Sequence, residues 1–151
     1  MKRFLLVVFC FMFVWTSINS AQKNSPKPQV KVVKAWARPA AEHTNSALYF
    51  IIENRSAKTD TLLGAESKAA DIVQVHETFK RDNDRMGMRE LPYVVIPPRS
   101  NVAFKPGAMH VMLIDTQMDL KIGTSINATL KFKYSGKIKI RARVQDIAGA
   151  E

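Results

Sequence analysis

Short apolar runs, many of them alternating with polar residues, recur along most of the chain and are separated by turn chemistry. Val30–Ala37 (VKVVKAWA) reads as a strand stopped by Arg38-Pro39, since proline fixes φ and removes an N–H. Residues 46–53 (SALYFIIE), 60–65, 72–79 (IVQVHETF) and 86–91 read the same way, with polar turns at 54–58 and 81–84. Val94-Val95-Ile96 leads into Pro97-Pro98, and residues 101–104 and 110–114 (HVMLI) flank a Lys105-Pro106-Gly107 turn. Residues 125–134 and 137–144 flank Ser135-Gly136 as a tight hairpin. No segment keeps helical periodicity beyond two turns, although residues 66–72 could hold one short helical turn after Gly64. Eight or nine evenly spaced strands predict an all-β fold, a sandwich or a Greek-key barrel, without repeats and without a second domain.

The first residues do not belong to that pattern. Lys2 and Arg3 precede an unbroken apolar run of twelve residues, 4–15, and a small, polar stretch that ends near Ser20 or Ala21. Twelve residues are too few to span a bilayer, and the arrangement is that of a secretory signal peptide over residues 1–21. Residues 22–29 (QKNSPKPQ) form a polar lead-in, and residues 30–151 the domain. The export signal predicts a secreted protein. The only cysteine, Cys10, leaves with the leader, so the exported domain has neither disulfide nor thiolate. The formal charge of +10 becomes +8 once Lys2 and Arg3 are gone. Lysines and arginines at 131, 133, 137, 139, 141 and 143 alternate with apolar residues, as on a strand with one wet face. Nucleic acid is excluded as a partner because no aromatic stacking pattern accompanies the charges. An acidic partner or a membrane surface stays compatible with them.

The candidate chemistry lies between residues 76 and 112. His110 and Met112 share a strand face, as do Met86 and Met88, whereas Met109 faces the other way and His43 sits in a polar loop. His76 lies near the end of its strand, just before the turn that leads to Met86 and Met88. Imidazole and thioether donors, with no thiolate and no carboxylate, suit Cu(I) better than zinc, calcium or magnesium. A blue-copper electron carrier would need a cysteine ligand, which the exported domain lacks. A hydrolase finds little support, because Asp60, Asp71 and Glu77 are scattered and no serine sits in a nucleophile elbow.

The stretch from His76 to Met112 (HETFKRDNDRMGMRELPYVVIPPRSNVAFKPGAMHVM) resembles the periplasmic copper chaperones called PCu(A)C. That family carries His, ten residues, Met, twenty-one residues, then His-x-Met. Met88 and His110 enclose twenty-one residues here, and "AWAR", "VHET" and "FKPGAMHVML" are similar to the family's surroundings. One departure stands out: eleven residues, not ten, separate His76 from Met88. An insertion in the turn at 81–85 accounts for it without shifting strand register.

The resemblance implies a cupredoxin-like β-sandwich and a Cu(I) ligand set of His76, Met88, His110 and Met112, with Met86 as the rival of Met88. It further implies a monomeric chaperone, not an enzyme, that passes copper to another protein for assembly of the cytochrome c oxidase copper centres, meeting the membrane only through that partner. The chain ends in IAGAE, without the His- and Met-rich tail of some members, so a second copper site is not expected there. The competing reading is a metal-free exported β-sandwich whose basic surface docks a partner.

Overall fold

The structure is a computed structural model that describes residues 29–81 and 84–147. The expected signal peptide and all but the last residue of the lead-in lie outside the described residues. Ten strands follow in chain order: β1 Val30–Ala37, β2 Ser46–Asn54, β3 Asp60–Ser67, β4 Ala70–Lys80 and β5 Met86–Glu90, then β6 Val94–Ile96, β7 Ser100–Phe104, β8 Met109–Thr116, β9 Ser125–Phe132 and β10 Gly136–Val144. They pair in the order β5-β4-β8-β2-β1-β10-β9-β3-β6, with β7 sharing an edge of β2. The fold is the all-β, cupredoxin-like architecture that the alternation and the resemblance predict.

Alternation makes the core. Leu48, Phe50 and Ile52 of β2, Val75 of β4 and Val111 and Leu113 of β8 are buried in the same cluster as Leu130 of β9 and Ile140, Ala142 and Val144 of β10. The two groups of strands therefore turn their apolar faces to one another and their other faces outward. Phe50 stacks on Phe104 of β7 with ring centroids 4.5 Å apart. Strand β2 is buried on both faces, because Trp36, Ala47 and Tyr49 form a smaller cluster on the outer side.

Two local devices shape the sheet. The β1–β2 register shifts between Val33 and Trp36, where Lys34 takes φ 53°. This bulge lets Trp36 pair with both Tyr49 of β2 and Arg143 of β10, so β1 joins the two halves of the fold. Asp60, buried at the start of β3, accepts from the amides of Thr61, Tyr134 and Ser135 and from the Ser135 hydroxyl. It thereby locks the β9–β10 hairpin onto β3.

The short helical turn expected at residues 66–72 is absent: Lys68 and Ala69 make a tight turn between β3 and β4. Ser67 explains the difference. Its hydroxyl donates to the Asn127 carbonyl and accepts from the Ala69 amide, while Glu66 and Ser67 stay in the ladder with β9.

Candidate metal centre

Strands β4 and β8 are antiparallel neighbours, and their register sets His76 opposite His110. Directly opposed residues lie on one face with Cβ atoms roughly 5 Å apart, and the two imidazole centroids are 6.0 Å apart. Gln74 faces Met112 in the next same-side pair. On the other edge of β4, Glu90 of β5 faces His76 and Met88 faces Thr78. His76 thus has Met88 and Met112 on its two diagonals, within reach of long side chains. Met86 faces Lys80, two residues beyond Met88 and about 7 Å further along the strand. All of these side chains stand on the outer face. Met109 turns the other way and packs against the core, as the alternation predicts.

The loop that separates Met88 from His76 closes through an Arg81 amide bond to the Arg85 carbonyl at 2.7 Å, although its middle lies outside the described residues. A spacing of ten would put the family's methionine at position 87. Here that position is Gly87, buried on the opposite face against Phe79. The pairs Thr78–Met88 and Lys80–Met86 keep both methionines on the His76 face.

Hydrogen bonds fix which nitrogen of each ring holds a lone pair. The Ala108 carbonyl, 3.1 Å from His110 Nδ1, can only accept, so Nδ1 carries the proton and Nε2 the lone pair. Gln74 donates through Nε2 to a Glu90 carboxylate oxygen at 3.1 Å, which turns its Oε1 toward His76 Nε2, also at 3.1 Å. His76 Nε2 therefore donates, and Nδ1 is left with the lone pair. That Nδ1 is buried and has no hydrogen-bond partner. An unpaired buried nitrogen is costly unless something else completes it. Burial, then the neighbouring His110, lowers the His76 pKa and so favours the neutral ring, against an opposing pull from Glu90.

Exposure is graded across the group. His110 is 5% exposed, His76 and Met112 are half-buried, and Met88 and Met86 are 55% and 61% exposed. Tyr49 closes the β2 side with its ring 6.3 Å from that of His110, and Trp36 packs on Tyr49 at 4.5 Å. Among the described residues no three His, Cys, Asp or Glu side chains are grouped to hold a metal. A site here needs the sulfurs, and its donor set of two imidazoles and thioethers fits a soft monovalent ion.

His43 lies elsewhere: it is exposed and bonded to Asp115 at 2.9 Å, as expected of a loop residue. Hydrogen bonding to Asp115 raises its pKa. Sequence reasoning missed Gln74, Glu90 and Tyr49. Gln74 was within reach, since it precedes His76 by two on the same strand and must share its face. Glu90 and Tyr49 depend on cross-strand register, which no local pattern reveals.

Residues 30–144 match the family described as putative lipoprotein LpqE-like. A putative lipoprotein of Leifsonia xyli subsp. xyli is 30% identical over 121 residues, covering 80% of this chain and 72% of its own. An uncharacterized protein of Rickettsia prowazekii is 32% identical over 108 residues, 68% of this chain and 59% of its own. Among solved structures, the copper-bound PCuAC domain from PmoF2 superposes with a TM-score of 0.65 at 28% identity, covering 78% of this chain and 92% of that domain. The solution structure of CuI-DR1885 from Deinococcus radiodurans gives 0.61 at 27% identity, covering 84% and 86%.

Proposed function

The chain belongs to the LpqE-like family, which is related to the PCu(A)C domains, and from that premise we propose that it is an exported copper chaperone. It binds one Cu(I) through His76 Nδ1, His110 Nε2 and the sulfurs of Met88 and Met112, and hands the ion to a copper-accepting protein in the periplasm. The family resemblance points to the copper centres of cytochrome c oxidase as the destination. The single observation that carries this reading is the His76–His110 pair, in which each ring has one nitrogen held by a protein acceptor and the other left with a lone pair. Similarity to a copper-bound PCuAC domain and to a Cu(I)-loaded protein supports the choice of metal. Relatives named as lipoproteins support export.

The chain's own groups suit transfer more than storage. His110 and His76 are anchored on two central strands with their tautomers set, so they form the fixed half of the site. Met88 is exposed on an outer strand and forms the accessible half. An acceptor's ligand can displace this thioether first and take the ion by stepwise exchange, with no proton to remove from the sulfur. The register supports Met88 over Met86, since Met88 alone of the two lies diagonal to His76.

The test is a Cu(I) titration against a competing chelator. Wild type should take up one equivalent, and His110→Ala and Met112→Ala should each bind about 100-fold or more weakly. Met88→Leu should weaken binding while Met86→Leu leaves it within about threefold, because leucine keeps volume and removes sulfur. No stoichiometric uptake by wild type would leave the metal-free binding module as the better reading, and unchanged uptake by both alanine variants would overturn this ligand set.

A further inference from the structure

The outer face behind the metal centre, on the far side of the shared core, carries a different chemistry. On β10, Lys137, Lys139, Arg141 and Arg143 all point outward, between the inward-facing Ile138, Ile140, Ala142 and Val144. Lys137 pairs across with Lys131 of β9, and Lys133 follows where the strand ends. Among the described residues, one ion pair reaches these six basic residues, that of Lys131 with Glu66 of β3. Lys139, Arg141 and Arg143 make no ion pair among the described residues.

Exposed apolar side chains stand beside them. Leu63 of β3 is 52% exposed and Val95 of β6 is 50% exposed, both on outward positions of strands that continue the same sheet past β9. Tyr134, at the tip of the β9–β10 hairpin, is 72% exposed, with the Lys133 ammonium 5.2 Å from its ring centroid.

We propose that the outer face of β10, β9, β3 and β6 docks on an anionic phospholipid surface. Clustered lysines and arginines are drawn to such a surface additively. Apolar side chains beside them enter the headgroup region, where a tyrosine ring is well placed. An acidic protein is the less fitting partner: four of the six basic residues are lysine, the residue type that protein interfaces exclude from their cores. Because β4 and β8 turn their outer face the other way across the core, a domain seated like this points His76 and His110 away from the bilayer. The face is independent of whether copper binds.

Co-sedimentation tests it, using the chain from residue 22 onward, which carries every core residue described above. Wild type should sediment with vesicles of equimolar phosphatidylglycerol and phosphatidylcholine, stay in solution with phosphatidylcholine alone, and be released by added salt. Lys137→Glu, Lys139→Glu and Arg141→Glu together should lower partitioning by about 100-fold or more, and Tyr134→Ser by a few-fold. Thermal unfolding followed by circular dichroism checks the fold. Should the reversed charges unfold the sheet, the neutral set Lys137→Gln, Lys139→Gln and Arg141→Gln takes their place, with an expected loss of about tenfold or more. Wild type that ignores anionic vesicles, a folded variant that binds them as well as wild type, or retention by polyglutamate without binding to vesicles would each overturn the proposal.

Discussion

Gln74 contributes no ligand atom to the proposed site, yet it determines which nitrogen His76 offers. Its amide is held by Glu90 on one side and accepts from His76 Nε2 on the other. Outer partners of this kind typically change metal affinity by about 10–100-fold when removed. Gln74→Leu should therefore weaken Cu(I) binding by about tenfold in the chelator competition while thermal stability changes little, because Gln74 is half-buried on the outer face and does not belong to the core. A loss of stability equal to that of a core mutation would mean that Gln74 acts on the fold. The histidines and methionines themselves were legible in the sequence, because His-x-Met on one strand must share a face. The bridging role of Gln74 and the closing role of Tyr49 were not, since both depend on which strands become neighbours.

At the scale of elements, alternation located nearly every strand, and the bounds of β1 match the expected run to the residue. It failed where a side chain redirects the backbone. The turn at Ser67 looked helical because its hydroxyl bonds to Asn127, sixty residues away, cannot be read locally. The bulge at Lys34 was hidden too, because VKVVKAWA alternates well enough to pass for a regular strand. Lys34 holds a left-handed conformation that costs a side-chain-bearing residue about 1 kcal/mol or more. Lys34→Gly should be neutral or stabilise by up to about 1 kcal/mol, and Lys34→Val should destabilise by about 1–2 kcal/mol in urea unfolding. Equal effects of the two would show that the bulge relaxes at no cost. Gly87 is a second such point. A Cβ there would lie 3.0 Å from the Phe79 ring and closer still to Arg81, so Gly87→Val should disturb the hairpin that carries Met88. We expect a cost of about 1–3 kcal/mol, accompanied by weaker Cu(I) binding in the chelator assay.

Over the whole molecule, one buried carboxylate, Asp60, ties stability to pH. Burial pushes the Asp60 pKa up, but hydrogen bonds from the Ser135 hydroxyl and the Tyr134, Thr61 and Ser135 amides outweigh it and leave the group below the usual aspartate range. A depressed folded pKa stabilises the protein above the unfolded value, and that contribution disappears as pH falls through the folded value. Urea midpoints should therefore drop on acidification below about pH 4. Asp60→Asn should cost about 2–3 kcal/mol at neutral pH and flatten that decline; an unchanged profile in the variant would shift the effect to other carboxylates. The all-β class was legible from composition and period alone. The order of the strands was not, because pairings such as β1 with β10 join residues more than a hundred positions apart. That pairing also governs when the domain can form. Its first strand has its second neighbour only after its last strand has been made, and Trp36 and Ala37 wait on Arg143 and Val144. Closing so long a loop is slow and yields nothing until it is complete. During synthesis the chain therefore lacks its closing contact until the final strand appears, and the sheet is joined through β1 only when the end of the domain has been made.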